Sequence, residues 1–353
     1  MIIVSSELVK DPLASIVIAT YNQALYIEET VLSALSQNCD FVFEVVIADD
    51  GSTDGTRSIL KKLQKRYPRQ LWLIFNDENL MVTKNYVNAI KNARGKYIAT
   101  LDGDDIWIEK KKLQVQIEYL EQYPEISLVH TGYQVVDAES KMVINVYNNW
   151  KGDIEHKKGI EGIENVLMEN YTYYPLGSSS CFRKEVYLEG CCLYNSLVEY
   201  EESAGEGTLL NISMCRVGYF GYLPDIMVSY RVNSSSLSHF VNEREDISFR
   251  FRSLKTKYFA AVLSQCSNRT LNNILKMGFK NILVRAVRLN AIRIYRNEMK
   301  RFYLSEFIAP ASIKLIKIYN NIVFIILTVF VMHLLEVLRK IKSKIGLKHT
   351  ESN

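Results

Sequence analysis

Three carboxylates fall within four residues at Asp102-Gly103-Asp104-Asp105, directly behind the apolar run Tyr97-Ile98-Ala99-Thr100-Leu101. Acids this close repel one another unless positive charge lies among them. A hard divalent cation, Mg²⁺ or Mn²⁺, meets that need with oxygen ligands and can carry a phosphate on its far side. The plainer reading is a solvated acidic turn capping the next helix, because Asp is a favoured N-cap residue. Two further apolar runs end in short polar segments: Ala14–Ala19 in Thr20-Tyr21-Asn22, and Phe43–Ala48 in Asp49-Asp50-Gly51-Ser52.

The segments that must position these residues alternate in period. Strand-like runs at 14–20, 43–48, 71–75, 97–101 and 126–130 are separated by helical patterns at about 27–37, 56–67, 83–93 and 108–123. That alternation implies an α/β fold with a doubly wound, mostly parallel sheet flanked by helices. In such sheets ligands bind outside the carboxyl ends of the strands, where all three polar segments fall. Neither G-x-G-x-x-G nor G-x-x-x-x-G-K-[ST] occurs, which excludes the dinucleotide fingerprint and the P-loop. A nucleotide at these strand ends would be held by carboxylates on base and ribose, and by a metal on its pyrophosphate.

Residues 14 to about 240 resemble a family 2 glycosyltransferase with the GT-A fold, of the bacterial surface-polysaccharide type. The resemblance is carried by Ser15-Ile16-Val17-Ile18-Ala19-Thr20-Tyr21-Asn22, by Val45-Val46-Ile47-Ala48-Asp49-Asp50-Gly51-Ser52-Thr53-Asp54, and by Gly95-Lys96-Tyr97 through Asp105-Ile106-Trp107. It implies that Thr20, Tyr21 and Asn22 border the nucleotide, with the Tyr21 ring available to stack, and that Asp50 accepts from a pyrimidine ring N–H. It places Lys84 near the nucleotide, Asp102 and Asp104 at the ribose and the metal, and Asp105 as a further metal contact. Ser178–Ser180 would line the donor-sugar pocket or form a polar strand edge, whereas His130 reads as a packed core residue.

The resemblance further implies an inverting transfer of one sugar from a nucleoside-diphosphate sugar, with a UDP-sugar the favoured donor, to a lipid-linked or saccharide acceptor, with Mn²⁺ or Mg²⁺ as cofactor. Such a transfer needs one carboxylate to take the proton from the acceptor hydroxyl. The cluster Glu199-Tyr200-Glu201-Glu202-Ser203-Ala204-Gly205-Glu206 contains four acids. Gly205-Glu206 stands where the family has its base, so Glu206 is the candidate, although the family's residue is more often Asp. Glu201 and Glu202 are the alternatives. Asn233–His239 resembles a segment that closes over the pyrophosphate, which would bring His239 to the phosphates or the metal. The Q-x-x-R-W signature of processive synthases is absent. The rival readings are a nucleotidyltransferase of related fold and a non-catalytic membrane adaptor with a vestigial nucleotide site.

The charge of this 353-residue chain, +4 in sum, is divided unevenly: residues 1–249 carry −12 and residues 250–353 carry +16. An acidic body with a basic tail suggests a tail that meets an anionic surface. Residues 1–245 are expected to form the catalytic domain and residues 246–353 a helical, basic, membrane-associating extension. Ile318–Leu335 is free of charged residues. Its apolar heart is shorter than the roughly 20 residues of a spanning helix, which favours an interfacial or re-entrant helix. The expected location is the cytoplasmic face of the membrane, with no nucleic-acid partner. The six Cys show neither metal-ligand nor disulfide spacing and read as reduced thiols.

Overall fold

The computed structural model describes residues 1–147, 176–190, 214 and 218–232. The chain divides into two units, Met1–Phe240 and Val241–Asn353, and every described residue belongs to the first. The acidic cluster 199–206, His239 and the basic tail lie outside the described residues.

Strands β1 (Ile2–Ile3), β2 (Ala14–Thr20), β3 (Phe43–Asp49), β4 (Leu71–Phe75) and β5 (Tyr97–Asp102) enclose helices α1 (Ile27–Leu35), α2 (Thr56–Arg66) and α3 (Met81–Asn92). After them come β6 (Ile106–Trp107), α4 (Lys112–Gln122), β7 (Ile126–Val136), β8 (Met142–Tyr147), the 3₁₀ turn Gly177–Ser179, β9 (Ser180–Arg183), α5 (Lys184–Gly190) and β10 (Tyr219–Arg231). The sheet runs β1-β4-β3-β2-β5-β9-β7-β10-β6, with β8 beside β7. Pairing is parallel across β4-β3-β2-β5 and between β7 and β10, while β9 is antiparallel to both β5 and β7. This is the α/β, largely parallel architecture that the alternating pattern implies.

Continuous apolar strands produce this arrangement because parallel strands covered on both faces cannot alternate polar with apolar residues. Every residue of β2, β3 and β4 is buried. One face packs against Ile27, Val31 and Ala34 of α1 and Leu60 and Leu63 of α2, while Leu113, Ile117 and Leu120 of α4 join the same core. His130 lies in that interior beside the Tyr222 ring, at 4.9 Å between centroids, and burial pulls its pKa down to about 3. Such an imidazole stays neutral, as a packed core residue would.

Several strands depart from the expected bounds. The helix expected from residue 108 begins at Lys112, because Ile106–Trp107 is drawn into the sheet against Val228 and Ser229 of β10. Strand β10 runs alongside β7 with register shifts between Leu223 and Val228. At the amino ends of the strands, buried Glu44 accepts hydrogen bonds from Ser15 Oγ (2.7 Å), Trp72 Nε1 (3.0 Å) and the Arg94 backbone N–H (2.7 Å). Arg94 also pairs with it through its guanidinium. A fully buried carboxylate is tolerated only when satisfied in this way, and this one ties β2, β3 and β4 to the α3–β5 connection.

Candidate nucleotide-sugar site

Strands β3 and β4 are added on one side of β2, and β5 then crosses to the other side, so the switch point of the sheet lies at β2. The carboxyl ends of β2, β3 and β5 are stitched together there. Asp50 N donates to Thr20 O (2.9 Å), and Gly103 N donates to Ala19 O (3.0 Å). Asp50 and Asp102 thus flank β2 at two strand spacings, roughly 10 Å. Gly103 is required at this crossing, because a Cβ there would come within 2.6 Å of Thr20 Oγ1.

Asp50 is 3% exposed and is held on one oxygen. Its Oδ1 accepts from Asn76 Nδ2 (3.0 Å) and Leu80 N (2.8 Å). Burial raises its pKa, and those donors, together with the Met81 backbone N–H, oppose the rise. The loop that supplies Leu80 ends at left-handed Met81 (φ +68°) and packs on Gly51 (φ +81°) of the loop after β3. A Cβ on Gly51 would press to 3.1 Å against the backbone of Glu78 and Asn79. Next to Asp50, Asp49 is buried and takes Arg57 Nε and the Ser52 N–H (3.1 Å) on Oδ1.

The carboxylates after β5 have separate surroundings. Asp102, partly exposed, accepts from Tyr86 OH on Oδ1 (2.6 Å), and Ser178 Oγ lies 3.3 Å from Oδ2. Burial raises its pKa and the Tyr86 hydroxyl opposes the rise, while the one Ser178 hydrogen goes to Asp105. Asp104 is also partly exposed, while its backbone carbonyl accepts from Arg231 Nε (2.8 Å). Asp105 was expected beside the metal, but its side chain turns into the protein. It is fully buried, with Oδ1 taking the Arg231 N–H (2.8 Å) and Oδ2 the Ser178 hydroxyl. Burial first, then the charges of Asp104 and Asp102, push its pKa well up. Both of its oxygens are thus spent on positioning the loop.

Arg231 completes that positioning. It is buried, its guanidinium lies 4.7 Å over the Tyr26 ring, and it donates to Ala138 O (3.1 Å), Ser140 Oγ (2.9 Å) and Glu29 Oε2 (3.0 Å). Tyr86, Asn76 and Ser178 were not marked as partners of the acids, because a helix or turn residue shows no sign of what it meets across the fold.

The other expected residues divide. Tyr21 is 45% exposed at the mouth of the crevice, and Thr20 Oγ1 is buried without a hydrogen-bond partner. Asn22 (φ +53°) spends its side chain on structure, accepting from Thr53 N (2.9 Å) on Oδ1, while its own N–H donates to Ser52 Oγ (2.8 Å). Lys84 is half-buried on α3. Ser178–Ser180 are buried rather than lining an open pocket: Ser178 O accepts from Trp107 Nε1 (2.9 Å) and Ser179 O from Gln116 Nε2 (2.9 Å). Among the described residues no group of three or more His, Cys, Asp or Glu side chains is placed to hold a metal ion. What the described residues offer is Asp104 with Asp102 beside it.

Residues 15–187 match the family model described as glycosyl transferase family 2. This stretch belongs to that family. The glycosyltransferase domain is 38% identical over 122 residues to an uncharacterized protein of Mycobacterium tuberculosis, covering 35% of each chain. It is 37% identical over 125 residues to TuaG of Bacillus subtilis, named a putative teichuronic acid biosynthesis glycosyltransferase, covering 35% of this chain and 48% of that one. The chain therefore spans about a third to a half of the length of these relatives. In fold it is similar to S. aureus TarS, solved in complex with UDP-GlcNAc, with a TM-score of 0.53 at 19% identity over 82% of this chain and 91% of that one. The largely parallel sheet resembles that of GT-A glycosyltransferases.

Proposed function

We propose that the chain is an inverting, metal-dependent glycosyltransferase that moves one sugar from a nucleoside-diphosphate sugar to a lipid-linked or saccharide acceptor in cell-surface polysaccharide synthesis. The observation that carries this reading is the convergence of Asp50, Asp102 and Asp104 on the switch point at β2. Asp50 suits a base that presents a ring N–H, which makes a UDP-sugar the favoured donor. Asp102, held by Tyr86, suits the ribose hydroxyls. The relatedness to TuaG supports a polymer of the cell surface as the destination.

Mg²⁺ and Mn²⁺ are commonly bound through one or two carboxylates, with phosphate oxygens and waters completing the shell. Asp104 with Asp102 beside it fits that mode, and Asp105 contributes indirectly by fixing the loop. Once bound, such an ion offsets the charge of the departing diphosphate, so no second carboxylic acid is required. The chain's remaining task is proton transfer. Glu206, on the sequence pattern, takes the proton from the acceptor hydroxyl as its oxygen attacks the anomeric carbon; the bond to the diphosphate breaks on the opposite face, inverting the centre.

The basic tail and the uncharged Ile318–Leu335 segment support a place on the cytoplasmic face of the membrane. Among the described residues no helix is long and apolar enough to cross a membrane. The test is a melting series with UDP-, GDP- and dTDP-sugars, each with and without Mn²⁺, since a ligand of the native state raises apparent stability by mass action. A UDP-sugar should raise Tm only with the metal, and absence of any shift would reject the reading. With the donor in hand, Glu206→Gln should retain donor binding while kcat falls by roughly 10²–10⁴. Near-normal turnover would move the base to Glu201 or Glu202.

A further inference from the structure

Behind Asp50 lies a row of buried amides that no sequence motif marks. Asn85 Nδ2 donates to the backbone carbonyl of Ala48 (2.9 Å), a group that can only accept. That contact fixes the orientation of the Asn85 amide and turns its Oδ1 toward Asn76. Asn76 must therefore offer its NH₂, and Asn76 Nδ2 donates to Asn85 Oδ1 (2.8 Å). The second hydrogen of the same nitrogen goes to Asp50 Oδ1 (3.0 Å). Asn88 Nδ2, 3.4 Å from Asn76 Oδ1, agrees with this orientation. The backbone of Asn76 is held as well, by its N–H to Asp49 O (3.0 Å) and by the Arg57 guanidinium on its carbonyl.

We infer that Asn85 and Asn76 form a relay that sets which nucleobases the site accepts, favouring those with a ring N–H, such as uracil, over those with a ring-nitrogen acceptor, such as cytosine. The chemistry follows from donor counting. Asn76 and Leu80 both donate to Asp50 Oδ1, which favours an ionised carboxylate despite its burial. An ionised carboxylate only accepts, so Oδ2 remains for a donor from the ligand. A uracil N3–H supplies one, whereas cytosine N3 would set lone pair against lone pair. Asn76 and Asn85 touch no ligand in this scheme; they are positioning residues for Asp50.

The inference rests on reading the site as a nucleotide pocket, and the experiment separates the two. Calorimetric titration of the full chain with UDP and with CDP, both in Mn²⁺, should show UDP bound at least about tenfold more tightly, the value of one hydrogen bond to a charged group. Asn76→Asp puts a second carboxyl against Asp50, and the pair shares a proton. Asp50 can then present an O–H, so the UDP-to-CDP ratio should fall to about one or below. A purely structural defect would weaken both ligands alike and leave the ratio intact, and that result overturns the relay. Should Asn76→Asp not fold, Asn85→Leu reads the same ratio: it fills the volume but leaves the Asn76 amide free to turn, and unchanged selectivity overturns the relay equally. A wild type that binds UDP and CDP alike refutes the relay and keeps the pocket. Binding of neither refutes both.

Discussion

Tyr86 OH donates to Asp102 Oδ1 at 2.6 Å, so the first acid of the cluster is aimed before any ligand arrives. If Asp102 reads the ribose, losing the Tyr86 hydroxyl frees the partly exposed carboxylate to turn away from the sugar. Tyr86→Phe should therefore weaken UDP about tenfold. It should also narrow the preference for UDP over dUDP, while the melting temperature changes little because the ring still fills its place on α3. A parallel loss for both nucleotides would assign Tyr86 to packing alone. At this scale the sequence was legible for placement: Asp50, Asp102 and Asp104 stand out by type and spacing, and they fall at neighbouring strand ends. It was not legible for Asp105. Three adjacent acids look equivalent in a string, and only the return of Ser178 and Arg231 from distant segments shows that one of them faces inward.

The elements follow from hydrophobic period almost throughout the parallel half of the sheet, where buried strands and amphipathic helices declare themselves. Very short strands do not. Ile2–Ile3 and Ile106–Trp107 carry too few residues for any period and exist only through their partners β4 and β10. The same limit hid the loop between β4 and α3, whose form depends on Met81 at φ +68°. A side chain in that region costs roughly 1–2 kcal/mol relative to the right-handed form, and glycine escapes the cost while giving up some unfolded-state entropy. Met81→Gly should therefore leave stability unchanged or raise it by up to about 1 kcal/mol in denaturant unfolding. Marked destabilisation would show that the exposed Met81 side chain contributes packing that offsets its backbone strain.

At the scale of the whole molecule, the division of charge is the feature the sequence states most plainly, with −12 in residues 1–249 and +16 in residues 250–353. The basic segment is expected to hold the protein at an anionic bilayer while the acidic body works on a soluble donor. Truncation before Ile313 should shift at least part of the protein from the membrane to the soluble fraction after cell breakage. A truncated chain that stays wholly with membranes at high salt would place the anchor elsewhere. The central claim concerns the site itself, and Asp104 tests it most directly. Calorimetric titration of UDP into the wild-type chain should show binding that depends on Mn²⁺ and is lost with a chelator. In Asp104→Asn, which removes a charged ligand from a hard cation, UDP affinity in Mn²⁺ should fall at least about tenfold. UDP binding that is indifferent to the metal and equal in the two proteins would contradict the account.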